Sequence, residues 1–202
     1  MLHLSAVPVA VLEVLDRVAP CLAAQGFSLA GGTSLALRFG HRISADLDFF
    51  TTDEFGANDL IAKLGASAAE VIDKSSGTLR LLVGGVKIDC LRHAYPLINP
   101  PDIIGSLRMW SVADVAAMKL NAITNRGCKK DFHDLHALLK HHSLPDLLDV
   151  YCQKYSVENR FMVIRSLVWF EDADDEPDPI SQVEVAWPDV KAAISESVAC
   201  LR

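Results

Sequence analysis

Apolar residues recur at helical spacing from Pro8 to Gln25, where Val11, Leu12, Val14, Leu15, Val18, Leu22 and Ala23 lie on one broad stripe that ends at Gly26. The pattern predicts a packed first helix. Phe27 to Ala30 reads as a short strand stopping at Gly31-Gly32, where the backbone needs unusual torsions or close approach to a ligand. Thr33 and Ser34 are then expected to cap a short helix through Leu35, Ala36, Leu37 and Phe39, broken by Gly40. Beyond it, Ala45-Asp46-Leu47-Asp48-Phe49-Phe50 alternates acid with hydrophobe. On a strand, that alternation sends Asp46 and Asp48 to one face and Leu47 and Phe49 into the core.

Another helix is expected over Gly56 to Ser67, with Leu60, Ile61 and Leu64 inward. The period then changes to two. Ala69 to Asp73 and Thr78 to Val83 read as a hairpin, and a turn at Gly84-Gly85 leads to a strand over Val86 to Leu91 with Lys87 and Asp89 on one face. A loop over Pro96 to Pro101 and a last short strand over Leu107 to Trp110 precede a helix capped by Ser111, with Asp114 in its first turn. Lys119 stands among that helix's apolar residues. After Gly127 a new helix carries Asp131 and Asp134 three apart, on one face. Further helices are expected over Leu144 to Tyr155, Val157 to Phe170 and Asp189 to Leu201, and the acidic stretch 171–179 reads as a solvated connector.

The sum is an α+β chain: a small mixed sheet with flanking helices carrying Asp46, Asp48 and Asp89, then a helical C-terminal half. Residues 1–110 would form the catalytic core and 111–202 a helical region packed on it. With 202 residues, half of them apolar, the chain can bury a sizeable core. Five cysteines without Cys-x-x-Cys spacing imply reduced thiols and a cytoplasmic setting. No signal peptide or membrane-crossing run is read in the sequence. The formal net charge of −7 argues against a general nucleic-acid coat protein.

Two carboxylates held side by side repel each other, a cost that usually persists where a cation offsets it. Oxygen ligands of this kind suit magnesium or manganese, and the Gly-Gly turn at a helix start makes a phosphate site. Together they are equipment for phosphoryl or nucleotidyl transfer. His133 and His136 share a helix face but lack an evident third zinc ligand. Ser44 lacks the setting of a serine hydrolase nucleophile.

Gly-Gly-Thr-Ser-Leu-Ala-Leu-Arg-Phe-Gly-His-Arg-Ile-Ser-Ala-Asp-Leu-Asp-Phe-Phe resembles the first motif of the DNA polymerase beta-type nucleotidyltransferases, and in particular of the bacterial AbiEii/AbiGii toxin family. A second block resembling that family begins at Asp114, carries Lys119, and continues through Arg126, Lys130, Asp131 and Asp134. The resemblance covers essentially the whole chain. It implies an NTP substrate, magnesium or manganese on Asp46, Asp48 and Asp89, and a catalytic set of those acids with Lys119 and Asp131. Gly31, Gly32, Thr33, Ser34, Arg42 and Lys119 would bind the nucleotide, His41 and Arg42 orienting the loop or meeting a phosphate. It also implies an acceptor such as tRNA or a protein, and a cognate antitoxin. The alternative is a catalytically silent module of the same fold that binds a partner protein.

Overall fold

The computed structural model describes residues 1–65 and 69–201. The first stripe forms α1 (Val9–Ala24), whose Val11, Val14, Leu15, Val18 and Leu22 are buried. They pack against one face of a seven-stranded mixed sheet built from β1 (Ser28–Leu29), β2 (Leu47–Thr51), β3 (Ala69–Ser75), β4 (Thr78–Val83), β5 (Val86–Arg92), β6 (Asp102–Ile104) and β7 (Leu107–Met109). Its strand order is β3-β4-β5-β2-β1-β7-β6. Leu29, Phe49, Leu81 and Ile88 point from the sheet into this core. Each fully buried side chain of this kind contributes about 1.5–3 kcal/mol relative to leaving it in water. Leu47 and Phe49 face the core as the alternation requires, which turns Asp48 and Phe50 to the opposite face.

That opposite face is covered by helices. α2 (Gly31–Phe39) and α3 (Ala57–Lys63) flank the sheet, and α4 (Val112–Asn125), α5 (Lys129–Leu139), α6 (Leu144–Tyr155), α7 (Phe161–Leu167), α8 (Glu171–Asp174) and α9 (Trp187–Ala199) make the second half. Leu120, Phe132, Leu135, Leu148 and Trp187 centre a second core, which also takes in Ala30 and Leu35 of the first half. The hydroxyl of Ser111 accepts from the Asp114 N–H at 3.1 Å, the cap expected for α4.

Several boundaries differ from expectation for identifiable reasons. α2 begins at Gly31 behind Ala30, so Thr33 and Ser34 lie inside the helix, fully buried, and cap nothing. β2 begins at Leu47, which leaves Asp46 just before the strand. α3 is shorter than Gly56 to Ser67, and Ser67 lies outside the described residues. The expected Val157 to Phe170 helix contracts to α7: Ser156 takes a left-handed conformation that ends α6, and the Asn159 side chain accepts from the Phe161 N–H at 2.8 Å. β6 forms unforeseen, because Ile103 and Ile104 pair back across a tight turn onto β7.

The acidic stretch is more than a solvated connector. Glu176 accepts from the Lys129 N–H at 2.8 Å, closing the start of α5, while Asp174 accepts from Trp187 Nε1 at 2.6 Å and Lys191 Nζ at 2.8 Å. Just beyond, residues 180–182 strap across the first half. Ile180 accepts from the Ile43 N–H at 2.7 Å, and Ser181 Oγ donates to the His41 carbonyl at 2.9 Å. Among the described residues no helix is long and apolar enough to cross a membrane.

Candidate active site

The site begins with register. β2 and β5 run parallel, placing Asp48 opposite Asp89 and, two residues on, Phe50 opposite Leu91. All four side chains reach a cavity of about 430 Å³ between the sheet and α4, which Asp46, Gly31, Gly32 and Lys119 also line. Asp46, although outside the strand, is brought to the same cavity because the buried Thr33 hydroxyl hydrogen-bonds both the Asp46 carbonyl and Ser44 Oγ, the latter at 2.8 Å. Thr33 therefore acts from behind the site, not as a phosphate ligand through its side chain. Ser34 is equally buried, its hydroxyl accepting from Arg38 at 3.0 Å.

Gly31 is required twice over. Its φ of +65° lies in the left-handed region, and a Cβ there would sit 2.5 Å from Asp48 Oδ2. Gly31→Ala is expected to cost about 1–3 kcal/mol of stability from backbone strain and to displace the Asp48 carboxylate. Urea unfolding and ligand binding by calorimetry check both parts; wild-type values in both would remove the close approach from the argument. Gly32 has its own neighbour: a Cβ would collide with an Arg42 guanidinium nitrogen.

Burial pushes the Asp48 carboxyl above the ordinary carboxylate range; Lys119 opposes the shift, while the like charges of Asp89 and Asp46 add to it. Asp89 is itself buried, with Oδ2 at 3.1 Å from Lys87 Nζ and 3.7 Å from Arg80 Nε. Its Oδ1 is buried without a hydrogen-bond partner. Among the described residues no three His, Cys, Asp or Glu side chains form a ready-made metal cage. The donor set nonetheless fits a hard cation: oxygen-only carboxylates, one buried oxygen still open, and room for further ligands from a substrate.

Behind the acids lies a buried ion network. Lys119 Nζ sits 2.9 Å from Asp131 and 2.7 Å from Asp134, both carboxylates fully buried. Arg42 holds Asp134 in a two-point grip at 2.7 and 2.9 Å, His41 Nε2 meets the same carboxylate at 2.7 Å, and Arg126 closes on Asp131 at 2.9 and 3.2 Å. Burial would raise the Asp134 carboxyl, but Lys119 and Arg42 hold it well below the usual range. The Lys119 ammonium, which burial would pull down, is held up by Asp134 and Asp131. Arg42 thus spends its charge on Asp134 from behind Gly32, and Asp131 is a partner of Lys119 away from the cavity wall. The cations that do line the cavity are Lys119, Lys87, Arg80, Arg126 and Lys130. Lys87 carried a signal in the sequence, its place on the Asp89 face of the strand; Arg80 is brought in only by pairing of β4 with β5 opposite Asp89.

His133, from the histidine pair on α5, stacks on Trp187, rings 5.9 Å apart, and burial lowers its pKa to about 4.

Comparison with known proteins reaches the same region of fold space. The profile of the nucleotidyl transferase AbiEii toxins of type IV toxin–antitoxin systems matches residues 13–196. An uncharacterized protein of Aquifex aeolicus is 35% identical over 195 residues, covering 92% of this chain and 93% of its own. The structure is similar to MenT4, a nucleotidyltransferase toxin from Mycobacterium tuberculosis, with a TM-score of 0.63 at 17% identity over 94% of this chain and 83% of that one. It is also similar to JHP933 from Helicobacter pylori, with a TM-score of 0.62 at 16% identity over 98% and 92% of the two chains. At such identities the structural likeness shows the fold.

Proposed function

Because the chain belongs to the AbiEii nucleotidyl transferase toxin family, we propose that it moves a nucleoside monophosphate from an NTP to an acceptor hydroxyl, with pyrophosphate leaving. The observation that carries this is the register pair Asp48–Asp89 facing Gly31 and Asp46 across one cavity. Asp46, Asp48 and the open oxygen of Asp89 would hold magnesium or manganese. Such an ion would supply Lewis-acid stabilisation of the negative charge that develops on the leaving pyrophosphate. The unpaired N–H groups at the start of α2, where Gly31 and Gly32 line the cavity, receive phosphate oxygens. Lys119 supplies positive charge from the α4 side, and Lys130 and Arg126 extend it toward the mouth. Where Asp89 holds no ion, its carboxylate on the neighbouring strand would instead take the proton of the attacking hydroxyl.

Arg42 and Asp131 enter this reading as positioning residues: they fix Asp134 and Lys119, and through them the helix start and the cation beside the acids. The acceptor is an RNA such as tRNA or a protein hydroxyl, and a cognate antitoxin would restrain the activity. Incubation with each NTP, total RNA or lysate, and magnesium or manganese tests the reaction. Label in the α-phosphate is expected on the acceptor and label in the γ-phosphate is not. Transfer from the γ position would make the protein a kinase. If neither label moves, and Asp46→Ala changes no cellular phenotype, a catalytically silent partner-binding module replaces the enzyme.

A further inference from the structure

One wall of the cavity is aromatic, and nucleotidyl chemistry at the acids leaves it without a task. Going along β2 and β5 from Asp48 and Asp89, the next residues on the same face are Phe50 and Leu91, then His93 past the end of β5. Two residues of strand advance roughly 6.5 Å, about one ribose beyond the carboxylates. Tyr155, the last residue of α6, closes this end from the helical side. Its ring stands perpendicular to His93 with centroids 5.8 Å apart and its hydroxyl 3.3 Å from His93 Nε2; Phe50 meets His93 edge-on at 6.1 Å.

This wall is rigidly backed. Lys154, fully buried, reaches Asp114 at 2.7 Å and the Pro96 carbonyl at 3.2 Å, and lies 4.8 Å from the centroid of Trp110, which in turn packs on Phe50 and His93. Asp114 also accepts from the N–H groups of Ile98 and Asn99 at 2.9 and 3.2 Å, pinning the loop that follows His93. Burial and the neighbouring Lys154 lower the His93 pKa to about 4, so the imidazole is neutral at physiological pH. A neutral, braced, half-exposed set of rings one sugar away from a phosphate site offers flat apolar surface where a flat apolar group would arrive.

We propose that His93 and Tyr155, over Phe50, form the seat of the nucleobase of the bound nucleotide, by stacking. This rests on the nucleotidyl-transfer reading. Stacking accepts any base, since every base has a π-face, so the seat adds affinity without dictating which NTP is used.

Calorimetric titration with a non-hydrolysable α,β-methylene NTP and, separately, with inorganic tripolyphosphate isolates the base from the phosphates. Tyr155→Leu is expected to weaken the nucleotide roughly five- to a hundredfold and leave tripolyphosphate affinity unchanged, while Tyr155→Phe keeps both. His93→Leu is read the same way and serves if Tyr155→Leu does not fold. Unchanged nucleotide affinity in the leucine variants, or an equal loss for tripolyphosphate, overturns the seat. Wild-type protein that binds tripolyphosphate as tightly as the nucleotide overturns it too, with nucleotidyl transfer left standing. Wild-type protein that binds neither overturns the transfer reading itself, and the seat with it.

Discussion

Lys119→Ala is expected to lose roughly 3 kcal/mol of folding stability, because removing one member of a buried ion pair leaves its partners charged and dry. Asp131 and Asp134 are both fully buried, and each sits within 3 Å of the ammonium. The loss should stay near the low end of the range for such mutations, since Arg126 still holds Asp131 and Arg42 with His41 still holds Asp134. A lysine on an apolar helix commonly contributes only the packing of its stem; the buried network gives Lys119 a structural charge as well. Urea or thermal unfolding of the variant decides it, and a wild-type midpoint would mean that Arg42 and Arg126 alone satisfy both carboxylates. A Lys119→Met variant keeps the stem's packing and separates charge from volume.

Asp48→Asn should do the opposite. Nucleotidyl transfer is expected to fall by roughly a hundred- to a thousandfold or more, the scale on which loss of one charge-stabilising group is felt in an active site. Stability at neutral pH, measured with a chelator present, should be equal or higher. The sign follows from linkage: burial first, then Asp89 and Asp46, raise the folded-state pKa of Asp48 above its unfolded value. A raised carboxyl costs the folded state nothing below the unfolded pKa, a growing amount as pH rises through the folded pKa, and a constant amount above it. The difference between variant and wild type should therefore vanish in acid and grow as pH rises toward the folded-state pKa. A variant less stable than wild type at pH 7 would place a compensating group beside Asp48 and undo the argument. Active sites commonly carry such a trade of stability for function.

What could be read from the sequence, and what could not, divides by the kind of signal. Alternation over residues 45–50 and 86–91 turned Asp48 and Asp89 away from the core-facing residues of their own strands, because the strand period is a local property of the chain. It could not reveal where β2 begins, since Asp46 is held by Thr33, and that contact depends on how α2 packs. The family fold and the second block with Lys119, Asp131 and Asp134 came from motif resemblance; periodicity saw only a lysine on an apolar helix. The partners of that lysine lie one helix away, and no periodicity names them. Lys154 is instructive because it did leave a trace. With Leu147 and Tyr151 it continues one stripe at helical spacing, a position where a cation must find a buried counter-ion, here Asp114. The aromatic wall left no such trace, as Phe50, His93 and Tyr155 are gathered from a strand, the segment after another strand, and a helix end.

The grip of Arg42 on Asp134 spans 92 residues of chain, and this fixes when during synthesis the site can come into being. A ribosome that has released only the sheet has delivered Asp46, Asp48 and Asp89 together with an arginine behind Gly32 whose Asp134 partner is still missing. Contacts so distant in sequence form late, after the loop-closure cost of the intervening chain has been met. Nascent or truncated chains ending before α5 therefore carry the acids without the frame that holds them, and such fragments would be inert however well their sheet is made.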